Sequence, residues 1–138
     1  MGKMIVAPGI AKKVQKNATD ISTLNSNISG VSSANLTAGA KFSVSNVVLY
    51  KLGHLCVVSY AAQSSSAYNM DDVIATLPTG YRPKENMASL LITLIRGTSS
   101  ITYTGLARIK ANGEMTQAIT NSGQANDSLI IVGIYNTI

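Results

Sequence analysis

The stretch FSVSNVVLYKLGHLCVVSYAA, residues 42–62, decides the fold class. Its apolar side chains recur mostly at every second position, the period of an extended strand with one covered face. In an unbroken strand Phe42, Val44, Val48, Tyr50 and Leu52 share that face. The residues are largely β-branched or aromatic, types that fit a pleated, half-buried surface. Leu52-Gly53 interrupts the run just before HLCVVSYAA, so the stretch reads as two strands of a hairpin.

The same period continues to the end of the chain. VIATLP, residues 73–78, is a short strand closed by Pro78. NMASLLITLIR, residues 86–96, is apolar at consecutive positions, as in a central strand covered on both faces. ITYTGLARIK and MTQAI flank Asn112-Gly113, a strong hairpin signal. SLIIVGIYNTI, residues 128–138, makes a last strand too apolar to stand as a bare edge. It is expected inside the sheet packing or at a subunit interface. The fold class expected is mainly β, an antiparallel, jelly-roll-like β-sandwich over residues 41–138.

Upstream the period changes. Val14, Ile21 and Ile28 occupy position a of three heptads, and Asn17, Leu24 and Val31 occupy position d. Ser, Thr and Asn between them are weak helix formers, so a lone helix would be marginal in water. The pattern therefore predicts a coiled coil of identical helices over about residues 10–31, within a stalk of residues 1–33. Its e and g positions pair no opposite charges, and the heptads do not choose between two and three helices. Residues 34–40, ending the run GVSSANLTAGA, read as a linker.

Composition narrows the function. Charged residues are only 12% of the chain, about half the usual share, while 46% are hydrophobic. The net charge of +5 is dispersed: residues 1–40 contribute +3 and the remainder +2. Nucleic-acid surfaces cluster their basic residues, so no nucleic acid is expected as a partner. The single Cys56 builds no disulfide framework. Met4–Ala11 is too short an apolar run for a signal-peptide core, and no segment approaches the roughly 20 apolar residues of a membrane span. Membrane insertion is not expected.

Catalytic chemistry finds little to stand on. Asp71 and Asp72 are the one adjacent acid pair, and neighbours in an extended chain point to opposite faces. His54 and Cys56 share a strand face, half a zinc site, but there is no second His or Cys, so no metal and no cofactor are expected. Neither a nucleophile elbow nor a phosphate-binding loop is present. The chain does not read as an enzyme. Binding has better material. The loop around Tyr68, Asn69, Asp71 and Asp72 and the loop with Asn126 and Asp127 combine amides, carboxylates and one aromatic ring, a mixture suited to a sugar. Arg82, Arg96 and Arg108 can each meet a phosphate or carboxylate, or serve in an ion pair. LPTGYRP, residues 77–83, reads as a joint between strands: Pro78 stops one, Gly80 allows a tight turn, and Pro83 aims the chain into the next.

The order of these elements resembles the C-terminal head domains of tailed-phage receptor-binding and tail-fibre proteins. The resemblance is carried by Leu77, Pro78, Gly80, Tyr81, Arg82 and Pro83, by the later Ile109, Asn112 and Gly113, and by VVLYKLGHLCVVSY at the opening of the head. It implies a non-catalytic homotrimer at the tip of a phage tail. Its implied partners are a host cell-surface saccharide and other tail or baseplate proteins. Two alternatives are a structural trimeric tail component without glycan binding, and a cell-wall depolymerase head. The chain departs from the pattern in having no Trp, the residue on which saccharides often stack. The N-terminus has no obvious virion-anchoring domain, so the chain is expected to be a fragment or an adaptor-bound subunit.

Overall fold

The computed structural model describes residues 8–29, 31–85, 88–97 and 100–137. The chain divides into two compact units, Met1–Val31 and Ser32–Ile138. The first holds α1 (Pro8–Ser29). Pro8 opens it, where a missing N–H costs nothing. Lys16 and Asp20, one turn apart, pair at 2.6 Å in the open, a contact of small value. Val14 and Ile21 line one side of the helix and are about 60% exposed (62% and 59%). The side chains at heptad positions 24 and 28 lie outside the described residues. Val31 falls beyond the helix, as the first residue of β1 (Val31–Ser33).

The second unit is one antiparallel sheet. Its strands in chain order, after β1, are β2 (Thr37–Ala38), β3 (Phe42–Leu52), β4 (Leu55–Ser64), β5 (Ala75–Thr76), β6 (Ala88–Ile95), β7 (Thr102–Ile109), β8 (Glu114–Gln117) and β9 (Ser128–Asn136). They lie side by side in the order β1-β3-β4-β9-β6-β7-β8-β5-β2. β2 and β3 stand seven places apart in that order, yet residues 39–41 alone join them. Seven strand spacings in a flat sheet would span about 34 Å, whereas a three-residue link reaches about 14 Å. The sheet must therefore curl back on itself. The two faces expected of a sandwich are supplied by one curled sheet, and the mainly β, antiparallel head with a short N-terminal helix is what the structure shows. Residues 34–40, read as a linker, include β2 and the buried Leu36, so they are part of this sheet.

The concave face is the core. Val58 and Tyr60 of β4, Ile92 and Leu94 of β6, and Leu129 and Ile131 of β9 are all fully buried there. β9 runs between β4 and β6, so the apolar C-terminal strand is central and its backbone is paired on both sides. This placement removes the edge hazard its sequence poses.

β3 differs from the expected single-faced strand. Its register with β4 shifts between Val44 and Asn46, leaving Ser45 as an extra residue. A bulge of this kind reverses the alternation beyond it. Phe42 and Val44 pair with the inward Ser64 and Ala62, but Val48, Tyr50 and Leu52 pair with the outward Ser59, Val57 and Leu55. Leu49, not Tyr50, enters the core. β6 also departs from expectation: Leu90, Ile92 and Leu94 are buried, while Leu91 on the other face is 54% exposed.

The turns follow the local chemistry. Gly53 at φ 59° and His54 form the two-residue link between β3 and β4. Residues 110–113 close the β7–β8 hairpin: the Gly113 N–H donates to Lys110 O at 2.8 Å, and Gly113 takes φ 91°. The Asn112 side chain accepts from the Glu114 N–H at 3.0 Å. In LPTGYRP the Tyr81 N–H donates to Pro78 O at 3.1 Å and Gly80 sits at φ 92°, a type II turn that requires glycine there.

Candidate functional site

The two loops singled out for binding meet at one end of the sheet. Tyr68 and Gly123 form an antiparallel bridge, each N–H donating to the other's carbonyl. A side chain at position 123 would run into the Tyr68 ring, so the approach depends on glycine. Beyond the bridge the Tyr68 hydroxyl donates to the Asp127 carboxylate at 3.0 Å. Arg96 donates to both oxygens of that carboxylate at 3.2 Å, in a forked pair. The Gln124 N–H adds a further bond at 2.9 Å, and the Ser64 hydroxyl accepts from the Asp127 N–H at 3.0 Å.

This is a buried lock. Tyr68 is 2% exposed and Asp127 is fully buried. The carboxylate's lone pairs are taken up by charged and neutral donors, the condition under which a buried charge is tolerated. Arg96 is raised above its ordinary range by its hydrogen bond to Asp127. Burial, then the Asp127 carboxylate, pushes the Tyr68 phenol up as well. The ring also packs edge-on against Phe42 at 5.1 Å.

Of the six candidate ligand residues, the structure brings both loops together but turns Tyr68 and Asp127 inward. Asp72 lies between: its carboxylate accepts from the Asn69 N–H at 2.7 Å and from Lys41 at 2.8 Å. Those bonds, Lys41 first, hold its carboxyl below the ordinary 3.8. Asn69, Asp71 and Asn126 are exposed. Asn126 takes φ 66°, a left-handed conformation that Asn tolerates, while its N–H donates to Ser64 O at 2.8 Å. With the exposed Ser122 and Gln124, these residues form a polar rim over the lock.

The His54–Cys56 pair does not share a face. His54 stands exposed in the two-residue turn, and Cys56 is buried on the inner face of β4. Burial pushes the Cys56 thiol up, partly offset by a hydrogen bond with Tyr135. Such a thiol is a poor nucleophile and a poor metal ligand. Among the described residues, no three His, Cys, Asp or Glu side chains come together as a metal site. No described helix is long and apolar enough to cross a membrane.

Sequence reasoning missed the outer face of the sheet. The register places Tyr50, Val57 and Ile134 in one cross-strand row. Val132, Leu91 and Leu106 follow in the next row. Leu52 and Leu55 extend the patch at one end, and Ile130 adjoins it. All are exposed, Ile134 by 62% and Val132 by 47%. Single exposed apolar residues are ordinary, whereas a contiguous patch across five strands is the kind of surface that interaction sites present. The available signal was the run of apolar residues at consecutive positions in β6 and β9.

No family model matches the sequence, and no curated protein matches it. The structure is similar to the crystal structure of the receptor binding protein (gp15) of Listeria phage PSA. The likeness has a TM-score of 0.66 at 21% sequence identity, and covers 98% of this chain and 82% of that chain. At this identity it establishes a common fold.

Proposed function

We propose that this chain is a receptor-binding protein of a tailed phage: a non-catalytic homotrimer at the tail tip that attaches the virion to a host cell-surface saccharide. The observation that carries this reading is the fold likeness, which runs over 98% of the chain to a protein described as a receptor binding protein. The motif resemblance through Leu77–Pro83 and Asn112-Gly113 points the same way.

Two features favour self-association, each within its own unit. The helix presents a bare stripe through Val14 and Ile21, which a coiled coil of identical copies over residues 10–29 would cover. Asn17, Leu24 and Ile28 continue that heptad seam in the sequence, while Val31 stands beyond the helix in β1. The head presents the patch around Val57, Leu91, Val132 and Ile134, apolar enough to serve as an interface core. Three copies, rather than two, is what the motif resemblance implies.

The saccharide contacts fall on the polar rim at Asn69, Asp71 and Asn126, held in place by the Tyr68–Asp127–Arg96 lock and by Asp72. Amide and carboxylate groups on rigid supports give directional hydrogen bonds to hydroxyls. One shallow site of this kind binds weakly, and repetition over a trimer and over several trimers raises avidity through effective concentration. Tail or baseplate proteins would be the second class of partner.

The test has two parts. Light scattering on the purified chain should give the mass of three copies, and Leu91→Asp with Ile134→Asp should shift it toward one. Labelled protein should bind host cells, with Asn69→Ala and Asp71→Ala weakening binding while the melting temperature holds. A stable monomer at micromolar concentration would overturn the oligomer. A trimer that ignores host cells would instead be a structural tail component, and release of reducing sugar from host polysaccharide would make it a depolymerase.

A further inference from the structure

The LPTGYRP joint does more than connect strands. It forms one wall of a cleft of about 250 Å³ whose lining includes Lys51, Gly80, Arg82, Lys84, Ala111 and Thr137. These residues come from four separate stretches of chain, brought together where β3, the joint, the β7–β8 turn and the end of β9 meet. We propose that this cleft binds an anionic group, a phosphate or a carboxylate carried on a larger molecule.

The charge pattern is the first argument. Three cationic residues line the cleft and no acid does. The ion pairs among the described residues are Lys16–Asp20, Lys41–Asp72, Arg96–Asp127 and Lys110–Glu114, and none involves Lys51, Arg82 or Lys84. The Lys84 backbone N–H donates to Asn136 O at 3.3 Å, but its ammonium takes no acceptor among the described residues. Three like charges around one concavity repel one another, and an anion entering it relieves all three at once.

The second argument is positioning. Lys51 Nζ donates to Gly80 O at 2.7 Å and lies 5.8 Å from the centre of the Tyr81 ring. Arg82 Nε donates to Leu77 O at 3.2 Å, which fixes the guanidinium plane and commits only one of its donors. The joint itself is anchored. Pro83 bridges to Thr137, and the Tyr135 hydroxyl donates to Tyr81 O at 2.6 Å. Lys51 and Arg82, held this way, lose little freedom when a ligand arrives, and the Lys84 ammonium is left to close on it. The volume is below the roughly 300 Å³ of a pocket for a whole drug-sized ligand, so it fits a single charged substituent. This proposal stands apart from the saccharide rim: the cleft is built from different residues.

The chain would be titrated with inorganic phosphate, and separately with acetate, at constant ionic strength, while backbone amide resonances are followed. Saturable shifts confined to residues 51, 79–84, 111 and 137 are expected. Lys84→Gln should weaken binding about threefold, the size of one exposed charge contact. Lys110→Gln, which removes a cation already paired with Glu114, should leave it unchanged. Lys51→Gln, checked by its melting temperature, should add to the loss. Tighter phosphate than acetate binding would name a phosphoryl ligand, and the reverse a carboxylate. Shifts that never saturate, or an unchanged affinity in Lys84→Gln, would overturn the proposal.

Discussion

Tyr60 buries its whole ring in the core of β4, and its hydroxyl has no hydrogen-bond partner among the described residues. An unpaired buried hydroxyl costs roughly 1–3 kcal/mol. Tyr60→Phe is therefore expected to leave stability unchanged or to raise it by about 1 kcal/mol, read from chemical denaturation. A loss of that size would mean the hydroxyl is satisfied in solution. Asp127 is the opposite case, a buried charge with every neighbour committed to it. Asp127→Asn leaves Arg96, whose side chain is 16% exposed, without its counter-charge. Breaking such a pair costs about 3–5 kcal/mol. A loss under about 1 kcal/mol in thermal unfolding would show that the lock does not anchor the loops. Neither residue's role was legible in the sequence. Asp127 sits in a Ser/Asn/Gln-rich loop that looks solvated, and it is the distant Ser64, Tyr68 and Arg96 that enclose it.

Elements were more legible than residues. The hairpin around Gly53 and the one closed by Asn112-Gly113 follow from turn chemistry that acts within four or five residues. Strand identity followed from the period. The bulge at Ser45 did not, because nothing in FSVSNVVLYKL states which residue the partner strand skips. That one residue moves Tyr50 and Leu52 from the core to the outer face, where they join Leu55 and Val57. The helix is a compact unit of its own with Val31 at its end. A chain begun at Ser32 should therefore keep a cooperative melt and the far-ultraviolet signal of a β protein. Loss of the cooperative transition would show that the head needs the helical segment to fold.

Across the whole molecule the buried phenols set an alkaline limit. Burial pushes Tyr60 up to about 12 from an ordinary 10.0. Tyr68 and Tyr135 are raised too, chiefly by burial, with Asp127 adding to the first and Cys56 to the second. Between pH 10 and about 12 the folded chain keeps protons that the unfolded chain gives up. Their contribution is complete below pH 10 and is lost as pH rises above it, by about 1.4 kcal/mol per pH unit for each retained proton. The melting temperature should fall steeply above pH 10, and Tyr68→Phe should shallow that slope. An unchanged slope in that variant would show that Tyr68 ionises in the folded state.

The sequence by itself determined the β class, the main turns, the heptad helix and the polar loops that rim one end of the head. These depend on backbone periods and on side-chain contacts within a few residues, which order along the chain encodes directly. The tertiary structure decided the rest. It made one curled sheet of the two expected, turned Tyr68 and Asp127 inward, laid an apolar patch across the outer face of five strands, and gathered Lys51, Arg82 and Lys84 around one cleft. Each of these depends on which distant segments become neighbours. That is settled by sheet order and register, and a single bulged residue is enough to change it.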